Sequence, residues 1–414
     1  MGIWDGSTAD FETCKFALAL SGGGYRATLF HLGSLRRLNE IGWVNRVERL
    51  TAVSGGSLLV GFILSQCPNV LDRNVQLTAD EWQTEVSSKV HRFVKNDLRT
   101  IQSIQNLTIN QFFRKRRLSN TIYRLEKLYG ENRTMDEFPY SESQNERWPE
   151  ILILATDLVN AQAFRFSNNP KMSGNGQVGL CDLSFVDLAT SCAASASFPP
   201  LFGPVHLGHE LRKYPESVLP LELRESLSEM VLSDGGLYDN LGKNLIAGAS
   251  DSLVRLFSDA GNPYSPNTSW TKDLRVMLKY MQLMSSFISR LNFQMMRMIR
   301  KNDYAFWSAQ FSENGSDTST FGFTSDFVNT YMEKIRTDLD QFTDQEACIL
   351  ENHGYAQTEL GLRNEFGRVY SNLDLPEANW PYPRYAEENN LTETLIAARK
   401  RKTFSQLFRL SIYK

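Results

Sequence analysis

Two short apolar runs, each ending in a glycine-rich turn, constrain the fold of this chain most strongly. The first, Phe16–Leu20, stops at Ser21-Gly22-Gly23-Gly24 and is followed by leucines at near-helical spacing. The second, Leu50–Val53, stops at Ser54-Gly55-Gly56 and is followed by an apolar helical pattern. Apolar runs of this length that end in glycines indicate buried strands followed by tight turns. Two successive strand–turn–helix units predict an α/β fold with a mostly parallel sheet and helices on both faces.

The rest of the chain divides into an insertion, a return to the sheet and a helical end. Residues 68–147 are polar and helix-prone, which predicts a helical insertion. Strand patterns return at 151–155, 230–232 and 253–257, with a helix at 187–195 between the first two. Beyond residue 261 the pattern is helical and rich in methionine. We therefore predict one α/β domain over residues 14–260 and a helical C-terminal region, 261–414, that packs on it or caps it.

Charge and cysteine usage exclude several classes of protein. The 414 residues include 44 Lys and Arg against 47 Asp and Glu, a net charge of −3, so we expect no nucleic-acid polymer as a partner. The five cysteines are dispersed without a CxxC pair, which is typical of reduced thiols in the cytoplasm. The longest apolar run, Leu58–Leu64, is too short to span a bilayer. We expect a cytoplasmic protein.

The first glycine turn is suited to holding an anion. Three glycines that open a helix place backbone N–H groups and the positive end of the helix dipole together. This geometry serves either a phosphate or the oxyanion of an acyl transfer reaction. A phosphate loop requires Lys-Ser/Thr where this chain has Tyr25-Arg26, and the dinucleotide pattern lacks its third glycine. The oxyanion role remains, beside the alternative of an ordinary tight turn.

The second turn and a later aspartate add a candidate nucleophile and base. Ser54 lies between a strand and a helix, flanked by the small residues Ala52, Gly55 and Gly56, as the strained backbone of a nucleophile elbow requires. Asp234 follows a strand and precedes Gly235-Gly236, at the sheet edge where α/β proteins bind ligands. Taken singly, the serine turn is also compatible with a loop and the aspartate with a helix cap.

In this order the turns resemble the patatin-like phospholipases, which are lipid acyl hydrolases with a Ser–Asp dyad on a three-layer α/β/α fold. The motifs that carry the resemblance are Ser21-Gly22-Gly23-Gly24-Tyr25-Arg26, Ser54-Gly55-Gly56-Ser57, Ala155-Thr156-Asp157-Leu158, Ala194-Ser195-Ala196-Ser197-Phe198-Pro199 and Asp234-Gly235-Gly236. They cover roughly residues 14–66 and 150–260. The resemblance implies phospholipase A-type cleavage of glycerophospholipid esters with neither a metal nor a cofactor.

The resemblance also implies roles for individual residues. Ser54 would be the nucleophile and Asp234 its base. Gly22, Gly23 and Gly24 would supply the oxyanion hole, with Arg26 fixing that loop. Ala52 departs from the first glycine of the usual G-x-S-x-G elbow.

Histidine offers two competing arrangements. Only His353 follows both Ser54 and Asp234, as the Ser–Asp–His order of other α/β-hydrolases requires, and we interpret it as structural. His206 and His209 lack a matching third ligand, so we expect no zinc site.

Basic and apolar segments suggest partners. Residues 399–414 carry six basic and no acidic residues, interleaved with apolar ones, which suits a phospholipid membrane surface, a packed helix or a homo-oligomer contact. The Met-rich stretch 277–299 is interpreted as core helix, with an acyl-chain lining or lid as the alternative. The cluster Arg114-Lys115-Arg116-Arg117 is either a solvated face or a site for lipid phosphate or a nucleotide.

The resemblance permits a regulated role for this hydrolase, as an antiviral (antiphage) effector activated by a cyclic nucleotide. Two alternatives to the hydrolase stay open. The same acyl-enzyme would also serve an acyltransferase or thioesterase. A non-catalytic ligand-binding signalling module is the remaining reading.

Overall fold

The structure is a computed structural model. It describes residues 11, 13–99, 119–130, 132–140, 147–199, 202–247, 250, 252–261, eight helical positions between 276 and 294, and residues 304–310 and 321–400. The basic cluster 114–117 and residues 401–414 lie outside the described residues, as do most of the methionines between 277 and 299.

One mixed sheet forms the centre of the described chain. Its strands are β1 (Lys15–Leu20), β2 (Val47–Val53), β3 (Glu150–Asp157), β4 (Gln162–Ser167), β5 (Ser173–Asn175), β6 (Gly179–Cys181), β7 (Val205–His206), β8 (Val231–Asp234), β9 (Leu253–Asp259) and β10 (Tyr304–Ser308). The order β10-β9-β1-β2-β3 is parallel throughout. Strands β4, β5 and β6 continue the sheet antiparallel, and β7 and β8 add a second antiparallel pair.

The parallel part confirms the predicted strand–turn–helix units, and the strand predicted at 230–232 is β8, which pairs antiparallel with β3. Strands β4 to β7 and β10 were not predicted. Strand β10 lies beyond residue 261, in the region predicted to be helical, and pairs with β9 in the same sheet. Its five residues form a short apolar run beside a helical pattern, and periodicity alone does not separate such a run from a helix. The sheet therefore extends into the C-terminal region.

Helices surround this sheet. They are α1 (Gly24–Glu40), α2 (Gly55–Gln66), α3 (Ala79–Glu81), α4 (Ser88–Phe93), α5 (Ser119–Tyr129), α6 (Leu188–Ser195), α7 (Leu207–Leu211), α8 (Leu221–Ser228), α9 (Gly236–Asp239), α10 (Lys243–Ala247), α11 (Ser325–Phe327), α12 (Asp344–Ser371) and α13 (Glu388–Lys400). Two π-helical stretches, Trp82–Ser87 and Val328–Met332, lie between them. Among the described residues, no helix is long and apolar enough to cross a bilayer.

Both faces of the sheet are buried, as a three-layer fold requires. Along β1, Phe16, Leu18 and Leu20 enter the main core, which also contains α1 and α2 residues. The alternate residues Ala17 and Ala19 pack on the opposite face, with Ile246 of α10 among their neighbours. The period-2 alternation of a strand thus divides β1 between two helical layers.

Helix α12, in the C-terminal region, packs directly on α1. A Cβ atom at Gly33 of α1 would lie 2.0 Å from the Glu351 carbonyl oxygen, and one at Gly354 of α12 would lie 1.8 Å from that of Phe30. Two glycines therefore let the helix backbones touch. A buried ion pair between Arg37 and Glu359 at 2.8 Å joins the same two helices. The helix that follows the first glycine turn is held by the far end of the chain.

Candidate active site

Sheet topology brings the ends of β2 and β8 together. β3 pairs with β4 along residues 152–157 on one edge. On its other edge β3 pairs with β2 up to Leu154 and with β8 from Ala155 onward. The two strands approach from opposite directions and end one register position apart: Val53 is opposite Leu154, and Asp234 is opposite Ala155. Ser54, which follows Val53, therefore meets Asp234 where the strands face each other.

Ser54 has the strained backbone of a nucleophile elbow. Its φ of 48° and ψ of −114° lie in a region that side-chain-bearing residues rarely adopt. It is one of few described residues other than glycine with positive φ, and it lies directly before α2. This turn lifts the hydroxyl out of the sheet at the positive end of α2. Ala52, which replaces the usual first glycine, is a buried β2 residue paired with Ile153 and is accommodated there.

Small residues after Ser54 allow the two glycine turns to touch. A Cβ atom at Gly55 would lie 2.1 Å from the Gly24 carbonyl oxygen, and one at Gly56 would lie 2.6 Å from that of Leu20. A side chain at either position would collide with backbone, which cannot move aside as a flexible side chain can. The elbow and the first glycine loop are therefore built as one unit.

A short segment after α6 holds both members of the candidate dyad. The Ser54 N–H donates to Ser195 Oγ at 2.9 Å, and that hydroxyl donates to the Leu154 carbonyl at 2.6 Å. The Asp234 N–H donates to the Ser197 carbonyl at 3.2 Å, and the Gly235 N–H donates to that of Ser195 at 3.0 Å. Residues 195–197 thus fix the two strand ends relative to each other. The sequence motif contains both serines, but this bracing role was not predicted.

The Asp234 carboxyl is shaped by burial. Asp234 is only 3% exposed and Ser54 only 9%. Burial raises the pKa of Asp234 above its ordinary value of 3.8 to about 6, while hydrogen bonds from the Ser54 hydroxyl and the Gly236 amide lower it. The Gly236 N–H lies 2.7 Å from Asp234 Oδ1. The carboxylate is therefore a stronger base than a surface aspartate, yet still ionised at neutral pH.

The first glycine loop presents free amides. Gly23 and Gly24 have φ values of 144° and 59°, both of which favour glycine. Among the described residues, no protein acceptor binds the N–H groups of Gly23, Gly24 or Gly55. These amides lie where the loop and the elbow touch. Their donors remain available for an anion.

Gly22 differs from its neighbours. Its N–H donates to the Asn240 carbonyl at 3.1 Å, so this amide already has an acceptor within the protein. The other side of the same peptide, the Ser21 carbonyl, lies 2.9 Å from His31 Nε2. Gly22 therefore fixes the position of the loop in this structure, whereas the free donors belong to the next two glycines.

His31 is a buried, neutral support of that loop. Burial lowers its pKa to about 3, so it carries no charge at neutral pH. Its Nδ1 lies 2.8 Å from Ser258 Oγ, and the Trp307 indole donates to the same hydroxyl at 3.0 Å. Because the Ser21 carbonyl oxygen can only accept a hydrogen bond, the imidazole proton is on Nε2, which donates to it. Sequence reasoning had given His31 no role.

Arg26 secures the loop from the other side. Its guanidinium is buried, and its two Nη atoms donate to four backbone carbonyls: Ala260 at 2.8 Å, Gly261 at 2.6 Å, Ile335 at 3.1 Å and Glu333 at 3.2 Å. Burial lowers its pKa only to about 10, so it stays charged. Arg26 thus binds the segments that enclose the glycine loop.

Asn240 is a site residue that the sequence analysis missed. Besides its backbone contact with Gly22, its Oδ1 occupies the space beside two glycines. A Cβ atom at Gly22 would lie 2.3 Å from this oxygen, and one at Gly236 would lie 2.5 Å from it. Asn240 thus lies between the glycine loop and the Asp234 turn. Its place six residues after Asp234 in the chain was the available signal, but nothing in the pattern predicted the contact.

The histidines proposed as alternatives lie elsewhere. His353 is buried between Phe30 and Phe323, and its Nε2 contacts the Ala309 carbonyl at 3.1 Å. Burial lowers its pKa to about 4. The rings of His206 and His209 pack edge to face, with their centroids 5.7 Å apart. Within the described ranges, no three His, Cys, Asp or Glu side chains are grouped as metal ligands.

The residues of the candidate site lie within a stretch of the chain that matches one known protein family. The family model described as patatin-like phospholipase matches residues 18–242, more than half of the chain. No curated protein matches the chain. Among solved structures, VipD from Legionella pneumophila is similar at 13% identity and a TM-score of 0.35, covering 85% of this chain and 67% of VipD. Human GIVD cytosolic phospholipase A2 is similar at 11% identity and a TM-score of 0.36. That match covers 95% of this chain but only 61% of the human chain, less than two thirds of its length.

Proposed function

The chain belongs to the patatin-like phospholipase family, and on that premise we propose that it is a serine lipid acyl hydrolase acting on glycerophospholipids. Ser54 is the nucleophile and Asp234 the base in this proposal. The observation that carries it is the placement of these two residues at facing strand ends, with Ser54 in a strained elbow beside a carboxyl of raised pKa. A dyad without histidine needs a base of this strength next to the hydroxyl.

The first half-reaction forms an acyl-enzyme. Asp234 takes the proton of the Ser54 hydroxyl as its oxygen attacks the ester carbonyl carbon. The carbonyl π electrons move to oxygen, giving a tetrahedral oxyanion. The C–O bond to the lipid alcohol then breaks, and the departing oxygen takes the proton from Asp234.

The second half-reaction releases the fatty acid. Asp234 removes a proton from water, which attacks the acyl carbon and forms a second oxyanion. When this collapses, the bond to Ser54 breaks and the serine oxygen regains the proton. Enzyme and base return to their starting states, with one ester and one water consumed.

The amides of Gly23, Gly24 and Gly55 are the proposed oxyanion donors. They lack acceptors among the described residues and lie at the junction of the glycine loop with the elbow. Removing one such donor in other acyl-transfer enzymes raises the barrier by about 2.7–4 kcal/mol. In this proposal Gly22 orients the loop through Asn240 rather than binding the oxyanion, which modifies the role that the family resemblance implied for it.

Other predictions from the sequence stay untested. The domain division 14–260 and 261–414, the homo-oligomer and the cyclic-nucleotide activator with its antiviral role belong to this group. The basic cluster 114–117, which motivated the nucleotide prediction, lies outside the described residues.

The proposal is tested by fatty-acid release from mixed phospholipid vesicles with EDTA present. We expect release by the wild type and loss in Ser54→Ala and Asp234→Asn, with both variants folded as judged by circular dichroism. The matched control is Ser226→Ala, which removes the hydroxyl of an exposed α8 serine and should leave release unchanged. Undiminished release by Ser54→Ala would refute the assignment.

The same assay separates hydrolysis from the acyltransferase and ligand-binding alternatives. A lysophospholipid acceptor is added, and the lipid products are resolved by mass spectrometry. Dominant transfer to the acceptor would replace hydrolase with acyltransferase. Wild-type protein that neither releases nor transfers acyl groups, and that fails to react with a fluorophosphonate probe, would leave only the ligand-binding reading.

A further inference from the structure

An apolar stripe of large exposed side chains lies on a helix between β9 and β10. The described positions from 276 to 294 are all helical, and five of them form the stripe: Tyr280, Leu283, Met284, Phe287 and Leu291. Exposure is 63% for Tyr280, 56% for Met284 and 52% for Phe287. Soluble proteins rarely expose large contiguous apolar patches, and those that they do expose often mark interaction sites.

The spacing of these residues places them on one face of the helix. Leu283 and Met284 lie three and four positions after Tyr280, Phe287 lies four and three positions after them, and Leu291 lies four positions after Phe287. Residues at these spacings share one face of a helix. The core interpretation made from the sequence is therefore wrong for this face, which is open to solvent. The side chains are flexible or aromatic and suit a surface without fixed shape.

The charge of the surrounding sequence indicates an anionic partner. Residues 274–302 contain six basic side chains and no acidic one: Arg275, Lys279, Arg290, Arg297, Arg300 and Lys301. An apolar helical face within a purely basic segment is typical of helices that lie in the interface of an anionic bilayer. The net charge of the whole chain is negative, so this concentration of positive charge is local.

One end of this connection is anchored beside the candidate active site. The chain leaves β9 at Gly261, whose carbonyl accepts a hydrogen bond from Arg26 of the glycine loop at 2.6 Å. It rejoins the sheet at Tyr304 in β10, the parallel neighbour of β9. The segment that carries the stripe therefore begins after a residue that Arg26 of the glycine loop contacts directly.

We propose that the apolar stripe is the membrane-docking face of this protein, and that it binds the surface of an anionic phospholipid bilayer. The identification of that bilayer as the substrate rests on the proposed function, but the docking itself does not. This face then brings the Ser54 site to the lipid.

The test uses the full chain and vesicles of phosphatidylcholine with about one quarter phosphatidylglycerol. The double variant Leu283→Gln/Phe287→Gln removes two apolar side chains that are exposed in the folded protein, so it should fold normally. We expect its binding in co-sedimentation to fall about tenfold or more, and wild-type binding to weaken with salt and on pure phosphatidylcholine. The matched control Leu221→Gln changes a 72% exposed leucine of α8 and should bind as the wild type does.

Two further readouts make the result decisive. Tryptophan placed by Phe287→Trp should shift its emission to the blue with anionic vesicles, as a side chain that enters the bilayer does. Equal vesicle binding by the double variant and the wild type would overturn the proposal. So would a wild-type dimer by light scattering that the double variant abolishes without any change in vesicle binding, since the stripe would then bind a second copy.

A soluble short-chain ester distinguishes this failure from failure of the proposed function. The double variant should hydrolyse that ester at the wild-type rate, and Ser54→Ala should not hydrolyse it. Normal ester hydrolysis with unchanged vesicle binding would reject the docking face alone. Vesicle binding that depends on the stripe, without hydrolysis of any ester by the wild type, would reject the hydrolase alone.

Discussion

The Asp234→Asn variant should be more stable than the wild type while losing activity. Burial raises the pKa of this carboxyl from 3.8 to about 6, which means that the folded protein resists its ionisation. One pKa unit corresponds to about 1.4 kcal/mol, so keeping Asp234 charged above pH 6 lowers the free energy of unfolding by about 3 kcal/mol. Asparagine has the same shape and can still accept the Gly236 N–H, but it carries no charge.

The sign and pH window of this effect follow from proton linkage. Because the folded-state pKa lies above the unfolded one, the folded state binds the proton more tightly and loses stability as pH rises from about 4 to 6. The advantage of Asp234→Asn should therefore be about 3 kcal/mol at pH 8 and close to zero below pH 4.

Urea unfolding of both proteins at pH 8 and pH 4, followed by circular dichroism, measures this difference. Ser54→Ala is the control: it also abolishes activity, but it removes a hydrogen bond that lowers the pKa of Asp234 and should gain no stability at pH 8. If Asp234→Asn were no more stable than the wild type at pH 8, or gained equally at pH 4, the buried-charge argument would be refuted.

Four further outcomes test the geometry of the site. Hydrolysis of a soluble ester should fall about tenfold per pH unit below about pH 6, because the proposed base must be ionised, and a flat profile down to pH 4 would contradict this. Gly55→Ala should abolish activity and destabilise the protein, since its Cβ would lie 2.1 Å from the Gly24 carbonyl oxygen, whereas Gly203→Ala, with nothing within 4 Å, should behave as the wild type in both assays. The folded-state pKa of His31, about 3, lies below the ordinary value of 6.5. The neutral imidazole therefore contributes fully to the free energy of unfolding above pH 6.5, and this contribution is lost as pH falls. The free energy of unfolding of His31→Gln, measured in urea, should therefore depend less on pH between 7 and 4 than that of the wild type. His353→Gln should hydrolyse the ester at the wild-type rate per folded molecule, because His353 contacts the Ala309 carbonyl. A loss of activity as large as that of Ser54→Ala would instead indicate that His353 is catalytic.

The sequence predicted the parts of the site that depend on local backbone geometry. A strand that ends in glycines leaves few alternatives to a tight turn, and both predicted turns open helices, α1 at Gly24 and α2 at Gly55. The strain at Ser54 was anticipated from the small residues around it. Such features are encoded within a few residues, so they can be predicted without knowledge of the tertiary structure.

The parts that were missed depend on contacts between distant segments. That β2 and β8 share one edge of β3 is a matter of register, which no local pattern encodes. Asn240 and His31 contact backbone atoms of the glycine loop. Every residue type carries these atoms, so the sequence of the loop does not indicate which residues bind them. Strand β10 was missed for a similar reason, since its assignment depends on β9 beside it.

The same long-range contacts show that the glycine loop is not positioned by the family-matched residues alone. The match ends at residue 242, yet Arg26 donates to carbonyls at 260–261 and 333–335, and the Tyr25 N–H donates to the Asp338 carbonyl at 2.9 Å. Asp338 is in turn paired with Arg99 of the insertion. The proposed oxyanion donors would have to be held to a fraction of an ångström to stabilise charge. On that proposal, residues of the insertion and of the C-terminal region help to position the glycine loop. If Ser54 and Asp234 act as proposed, a ligand or surface that moves either region changes turnover without contacting these two residues.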